Sequence, residues 1–569
     1  MLSSTQTAKQ SDKPIWYFLL CWTILNVIQA ATLELHADEA YYWMYSRFLD
    51  WGYFDHPPMV AVFIRIGDSI GHNELCLRLL TVITSSISIY TLWLILKRYA
   101  VNAWAFVLVV AGVLILHIYG FTTTPDAPLF FFAVLFYYFY QRYIDQDKWW
   151  LATVLGLVIA CMFYSKYHAV LLIAFTVISN IKLFKRPSFW FIAALAALLY
   201  IPHILWQVNH GFPTVNYHLY EQAEKIYNPE NSYLYIPGQL LMAGPIIGWF
   251  LFYSAFTIKI KDAFIRCLLV NGIGTFAFFF FATFRGEAQP HWTLIAFAPL
   301  VMLSLIRFNQ KGGVPKWFNA VAIINIVFVV GLRLGMLFQW HVVTQVGQIK
   351  SYYGFKDWAQ TLHKKVGDNY LVMDNEFQNP SKYNYYTNSL KAFSYDSRYY
   401  RRTQYDIWPI EEQMQHKCAY HLIDTLNAEN KEPFNVPAGK WYGAWVNDVR
   451  TYQKIKIEAA VTHLTLHTGE QRSVDLTLTN PYPYTVNFSN KNAVNKAFLG
   501  VVFFKSDGRS YAQKSGDDFN NIVLKPGKST HYIFKFTAPG KGKYDMIFSI
   551  RTEPFEGSKN SRVIRLLVN

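Results

Sequence analysis

The stretch Glu34–Pro58, ELHADEAYYWMYSRFLDWGYFDHPP, decides how the chain is read. It lies between an apolar run at 15–33 and another at 79–96, yet it crowds carboxylates, histidines and aromatic rings into one loop. Apolar runs then recur at 103–121, 127–141, 149–165, 167–181, 187–208, 232–258, 267–284, 288–306 and 317–339. About 20 apolar residues in a helix cross the ~30 Å hydrocarbon core of a bilayer, and most of these runs suffice. They predict a polytopic α-helical membrane domain of about eleven transmembrane helices over residues 1–340. With 53% hydrophobic and only 16% charged residues, the chain is not a disordered one.

The first run has no small-residue cleavage site, so it reads as a membrane anchor and not as a removed signal peptide. Cys21, Cys76, Cys161, Cys267 and Cys418 include no CxxC pair, which argues against a disulfide framework or a cysteine metal site. The net charge of +15 is dispersed, and no basic run points to nucleic acid. Placing the N-terminus inside puts Lys97, Arg98, Arg142, Lys148, Lys182, Lys185, Arg186, Lys259, Lys261, Arg266 and more on the inner side. Up to residue 316 the outer loops keep only Arg47, Arg65, Arg78, Lys166, Lys225 and Arg285. That asymmetry orients the domain with a cytoplasmic N-terminus, and an odd number of spans leaves everything after residue 340 outside.

Residues 341–450 read as an extracytoplasmic mixed α/β region, with a helix in VGQIKSYYGFKDWAQTLHKKV and a strand in NYLVMDN. From about 451 the runs alternate with period two (VDLTLTN, HYIFKFTAPG, YDMIFSIRT), and turns such as NPYP and KPGKS separate them. This predicts an immunoglobulin-like β-sandwich over 451–569.

The predicted outer loops carry the polar chemistry. Asp38 and Glu39 stand where the first span leaves the bilayer. A carboxylate partly desolvated there, beneath tyrosines and a tryptophan, suits a general base; capping an interfacial helix explains the pair equally well. Asp55 and His56 sit on a stiff Pro-Pro turn. Asp126, in TTTPDAP, opens a helix. Lys166, in YSKYH, is an ammonium at the bundle edge that needs an anionic partner: a phosphate, Asp126 or Asp38. Arg285 and Arg78 are further phosphate candidates, and His291 is another polar group of the outer loops. Asp55 with His218 is a candidate for a divalent metal ion; no other cofactor is suggested. Acids, a lysine and an arginine gathered at one membrane face beside aromatic rings suit a substrate with an anionic head and a lipid tail, such as a polyprenyl-phosphate sugar. A transporter or flippase also explains charge at that face, but it predicts two related halves and ionisable groups at mid-span, and the sequence has no repeated halves.

DEAYYW, LDWGYFDHPPMVA, ELCLRLL, TTPDAPLFFF, SKYHAVLL and RRTQYDIWP resemble the bacterial membrane glycosyltransferases of the GT-C fold, relatives of protein O-mannosyltransferases and of the lipid A aminoarabinose transferase. The resemblance covers roughly residues 15–410. It implies a multi-pass enzyme of the bacterial inner membrane, with its C-terminal domains periplasmic or extracellular. The implied reaction transfers a sugar from a polyprenyl-phosphate donor to an extracytoplasmic acceptor (lipid, glycan or protein), with inversion at the anomeric carbon. It places the reacting-centre acid at Asp38, with Glu39 adjacent. Asp55 takes the acid position of the family's acid-Lys-Pro-Pro element; His56 stands where the aminoarabinose branch usually has lysine.

Overall fold

A computed structural model describes residues 11–217, 227–423, 432–436, 439–505 and 508–569. The chain divides after Tyr353 into two units.

The first unit is helical. Among the described residues six helices are long and apolar enough to cross a membrane: Lys13–Thr32, Glu74–Tyr99, Pro187–Asn209, Ala263–Ala282, Pro290–Gln310 and Lys316–Leu337. Pro229–Ala243 and Gly248–Phe256 add a seventh if that pair, bent by 95°, is one span. Trp149–Ser165 and Ala169–Ser179 are shorter apolar helices, and the tyrosine-rich helix Asp126–Gln146 opens on Asp126. Leu198, Ile201, Leu205, Ile323, Val327 and Phe328 are exposed on the outside of the bundle. Such a surface fits hydrocarbon and would be a liability in water.

Two of the eleven predicted spans are broken, for a shared reason. The run at 103–121 divides into Ala103–Val110 and Leu114–Ile118; the run at 232–258 breaks at 244–247. Gly112 and Gly244 approach so closely that a Cβ on Gly244 would lie 2.8 Å from the Gly112 carbonyl oxygen. Asn325, fully buried on Lys316–Leu337, fills the gap. Its Nδ2 donates to Gly112 O (2.8 Å) and its Oδ1 accepts from Ile246 N (2.9 Å). One amide thus satisfies backbone groups from both breaks, and backbone groups in a bilayer must be satisfied within the protein. A second buried group lies on the same helix. Arg333 donates to Asn26 Oδ1 (2.8 Å), Gln29 Oε1 and His117 Nδ1 (3.3 Å), and rests 5.3 Å from the Phe121 ring centre.

In the second unit Phe355–Val366 packs Trp358, Leu362 and Val366 against Leu371, Met373 and Tyr383. Gly354, with φ +82°, ends the longer helix that the sequence suggests and starts this one. The strand expected in NYLVMDN is Tyr370–Asp374, an inner strand of a five-stranded sheet. Its spatial order is Ala392–Tyr395, Tyr370–Asp374, Ala419–Ile423, Gly439–Val446, Glu432–Val436, parallel at the first two junctions and antiparallel at the last two. Beyond it a five-stranded sheet centred on Ala497–Phe504 and Gly542–Thr552 and a three-stranded sheet centred on Gln471–Thr479 share one apolar cluster. Strand Ser529–Thr537 shows why: Tyr532, Phe534 and Phe536 point inward and the residues between them outward.

Asn325→Leu should leave two backbone groups without partners, each costing about 1–3 kcal/mol; a lowered midpoint in detergent-solubilised thermal unfolding checks this. A pH test belongs to the second unit. Glu411 is buried, accepting from Gln453 N and Tyr482 Oη at 2.8 Å each. Burial pushes its carboxyl from 4.5 up to about 7. A raised folded value means that the neutral form's stability is fully present below pH 4.5 and is lost as pH rises through about 7. Glu411→Gln, in which Tyr482 can turn to accept, should flatten the fall of the thermal-unfolding midpoint between pH 5 and 7.5.

Candidate active site

The loop Glu34–Pro58 folds around one buried ion pair. Asparagine 73 starts the helix Glu74–Leu96 by accepting from Cys76 N (2.9 Å), and that helix delivers Arg78 into the interior. The Arg78–Glu39 pair is fully excluded from solvent. Arg78 Nε reaches Glu39 Oε1 (2.8 Å) and Nη2 reaches Oε2 (2.6 Å). Its remaining donors go to the carbonyls of Ala30 (3.0 Å), Leu33 (2.7 Å) and Glu34 (2.8 Å). All five guanidinium N–H groups are engaged. Glu39 in turn accepts from His36 N (2.9 Å), closing a capping box on the helix Ala37–Arg47, and from Thr123 N (2.8 Å). Arg78, a phosphate candidate from sequence, therefore has no donor left for a phosphate. Glu39, expected beside Asp38 at the reacting centre, lies wholly inside and positions the loop.

Asp38 occupies the same first turn but points outward, its side chain 37% exposed and 3.8 Å from His36 Nδ1. Across the TTTPDAP loop, which also supplies Thr123, Asp126 accepts two bonds of 2.8 Å from the Lys166 ammonium. Both side chains are about 95% buried. Lys166 leaves the end of Trp149–Ser165 in extended conformation, which turns it toward Asp126. His291 Nε2 stands 4.0 Å from Asp126 Oδ2, and Asp126, Lys166, Asp38 and His36 all act on His291 electrostatically. The structure thus brings Asp38, Asp126, Lys166 and His291 to one locus.

Asp55 joins this locus through tyrosines of Ala37–Arg47. Its Oδ2 accepts from Tyr41 Oη (3.0 Å) and Tyr45 Oη (3.4 Å). Tyr42 lies between the groups: burial first, then the carboxylates of Asp38, Asp55 and Asp126, push its phenol well above the ordinary range. The phenol therefore stays neutral. The His56 ring meets the Tyr42 ring edge-on at 5.7 Å. From sequence Tyr41, Tyr42 and Tyr45 read only as an aromatic cover over the carboxylates; that Tyr41 and Tyr45 bind Asp55 was signalled by nothing beyond their i, i+4 spacing in EAYYWMY. Behind the loop, Trp206 Nε1 donates to Asp50 Oδ2 (2.8 Å) and Thr214 Oγ1 to Phe54 O (2.7 Å). A Cβ on Gly52 would meet the Trp206 ring at 2.5 Å, so only glycine fits there.

Arg285 is exposed beyond Ala263–Ala282, its backbone N–H bonded to Ala282 O, and among the described residues no contact brings its side chain to Lys166. His218, proposed as a metal ligand with Asp55, lies outside the described residues. Among the described residues no group of three or more His, Cys, Asp or Glu side chains could hold a metal ion.

Breaking a buried pair costs about 3–5 kcal/mol, because the partner left behind is an uncompensated charge. Glu39→Ala or Arg78→Ala should therefore cut the yield and melting temperature of the folded membrane protein, whereas Asp38→Asn, at a partly exposed position, should leave both near wild type; size-exclusion and thermal-unfolding profiles check this.

Residues 55–206 match the family model of dolichyl-phosphate-mannose-protein mannosyltransferase. The lipid A galacturonosyltransferase RgtD of Rhizobium johnstonii is 26% identical over 249 residues, 41% of this chain. The match spans about half that relative's length, 52%. ArnT from Cupriavidus metallidurans in the apo state superposes with a TM-score of 0.57 at 12% identity, covering 76% of this chain and 98% of that one. ArnT bound to undecaprenyl phosphate gives 0.55 at 11% identity with the same coverage. By matched segment and by fold, the chain is a multi-pass membrane protein that resembles the GT-C integral-membrane glycosyltransferases.

Proposed function

We propose that this protein transfers a hexosyl or pentosyl group from a polyprenyl-phosphate donor to an extracytoplasmic acceptor, with inversion at the anomeric carbon. The observation that carries the reading is the contrast in burial within one cluster: the Asp38 side chain, next to His36, is 37% exposed, while those of Asp126 and Lys166 are about 95% buried. An open carboxylate can reach an acceptor hydroxyl; a buried ammonium supplies fixed positive charge without reorganisation.

In this scheme Asp38 takes the proton of the acceptor hydroxyl as its oxygen attacks the anomeric carbon. The bond from that carbon to the phosphate oxygen breaks, and the polyprenyl phosphate leaves with the electron pair. Lys166 has three ammonium N–H groups and Asp126 engages two, which leaves one for a phosphate oxygen. Asp55, held by two phenols, and neutral Tyr42 orient the sugar hydroxyls. A donor of this class is supported by the undecaprenyl phosphate bound to ArnT and by the dolichyl-phosphate-mannose name of the matched family. RgtD, a lipid A galacturonosyltransferase, makes a lipid one acceptor to try. The site faces the periplasm of a bacterial inner membrane, the N-terminus is cytoplasmic, and eleven segments span once the broken and short helices are counted. The C-terminal strands form a sandwich outside the membrane.

General-base catalysis contributes typically ~10²–10⁴ in rate. Asp38→Asn should lower transfer from a purified polyprenyl-phosphate sugar by about that factor at unchanged donor affinity. Lys166→Ala should weaken binding of the donor itself. Near-normal turnover by Asp38→Asn would remove that residue from the reaction.

A further inference from the structure

At the opposite end of the helix Asp126–Gln146 from Asp126 lies a cavity of about 260 Å³. Arg98, Lys182, Arg186 and Arg266 line it, with only Asp145 and Asp262 as acids. Both carboxylates are already engaged. Asp145 pairs with Arg98. Asp262 accepts from Tyr99 Oη (3.0 Å) and, as the cap of Ala263–Ala282, from Ile265 N (2.8 Å). Arg186 turns its Nη1 and Nη2 to the carbonyls of Tyr143 and Ile144, both at 2.8 Å. That leaves Lys182, which makes no hydrogen bond or ion pair among the described residues, and the two Nη groups of Arg266, whose Nε alone is used, on Ser179 O (2.7 Å). The first turn of a 20-residue helix, Ala263–Ala282, opens on the same space, and its dipole favours an anion there.

The surroundings specify what kind of anion. Leu183 and Phe264 line the cavity itself. Ile181 (70% exposed) and Phe184 (47%), on the same short turn as Lys182, face outward from the bundle. A soluble anion has no use for an apolar threshold; an amphiphile has. We propose that this pocket binds the phosphate headgroup of an anionic phospholipid of the surrounding leaflet, with Lys182 and Arg266 on the phosphate and the acyl chains along Ile181 and Phe184. The site is separate from the Asp38 cluster and does not rest on the transfer reaction.

Full-length protein in detergent would be titrated with phosphatidylglycerol, phosphatidylcholine and inorganic phosphate, following retained lipid by native mass spectrometry and the melting temperature. Phosphatidylglycerol should be retained and raise the melting temperature; the zwitterionic lipid and free phosphate should not. A cation near an anionic lipid surface contributes about 1 kcal/mol, roughly a fivefold factor in affinity. Lys182→Gln should thus weaken retention about fivefold and the double variant with Arg266→Gln about 30-fold, with the lipid-free melting temperature of Lys182→Gln unchanged. Equal retention of both lipids, full retention by Lys182→Gln, or the same stabilisation by inorganic phosphate alone would overturn the proposal.

Discussion

A single buried arginine–glutamate pair holds the candidate site in place. Arg78 closes three carbonyls at and just beyond the C-terminal end of the first helix, where partial negative charge collects. Glu39 closes the N-terminal turn of the helix Ala37–Arg47, where partial positive charge collects. The two side chains then close on each other, and Thr123 N–H joins from a third segment. Burying two charges is expensive unless every lone pair and proton is used. Here every donor of Arg78 and both oxygens of Glu39 are used, so the pair fixes one register for the whole loop.

That register decides which acid faces outward. Asp38 and Glu39 are neighbours in sequence, but one residue step along a helix separates their directions by about 100°. Once Glu39 is committed inward, Asp38 must emerge beside the Asp126–Lys166 pair. The TTTPDAP loop enforces the same arrangement from the other side, since its Thr123 grips Glu39 and its Asp126 grips Lys166. Fixed charges in a water-poor setting interact far more strongly than the same charges in water, and that is the setting of the Asp126–Lys166 pair.

Deeper in the bundle the same economy of polar groups recurs. Asn325 reconciles two broken helices, and Arg333 gathers Asn26, Gln29 and His117. Phe121 lies under both Arg78 and Arg333, at 5.8 and 5.3 Å from its ring centre. Polar side chains inside an apolar bundle have few alternative partners, so each such cluster limits how neighbouring helices can slide.

Much of this was legible in the residue order. Apolar runs of near-span length located helices in the first 340 residues, because hydrocarbon thickness sets a length that composition reveals. Period-two alternation located strands such as Gln471–Thr479 and Ser529–Thr537, because a pleated strand presents alternate faces. The loops rich in Asp, His and Lys stood out because ionisable groups are costly beside a bilayer. What the order of residues left open was partnership. Nothing local to Arg78 says that it closes on Glu39, 39 positions earlier, nor that Tyr41 and Tyr45 would hold Asp55, nor that Gly112 would meet Gly244 across an asparagine at 325. Those contacts are fixed by helix packing, in which groups far apart in the chain compete for the same few partners, and only the folded chain determines the outcome.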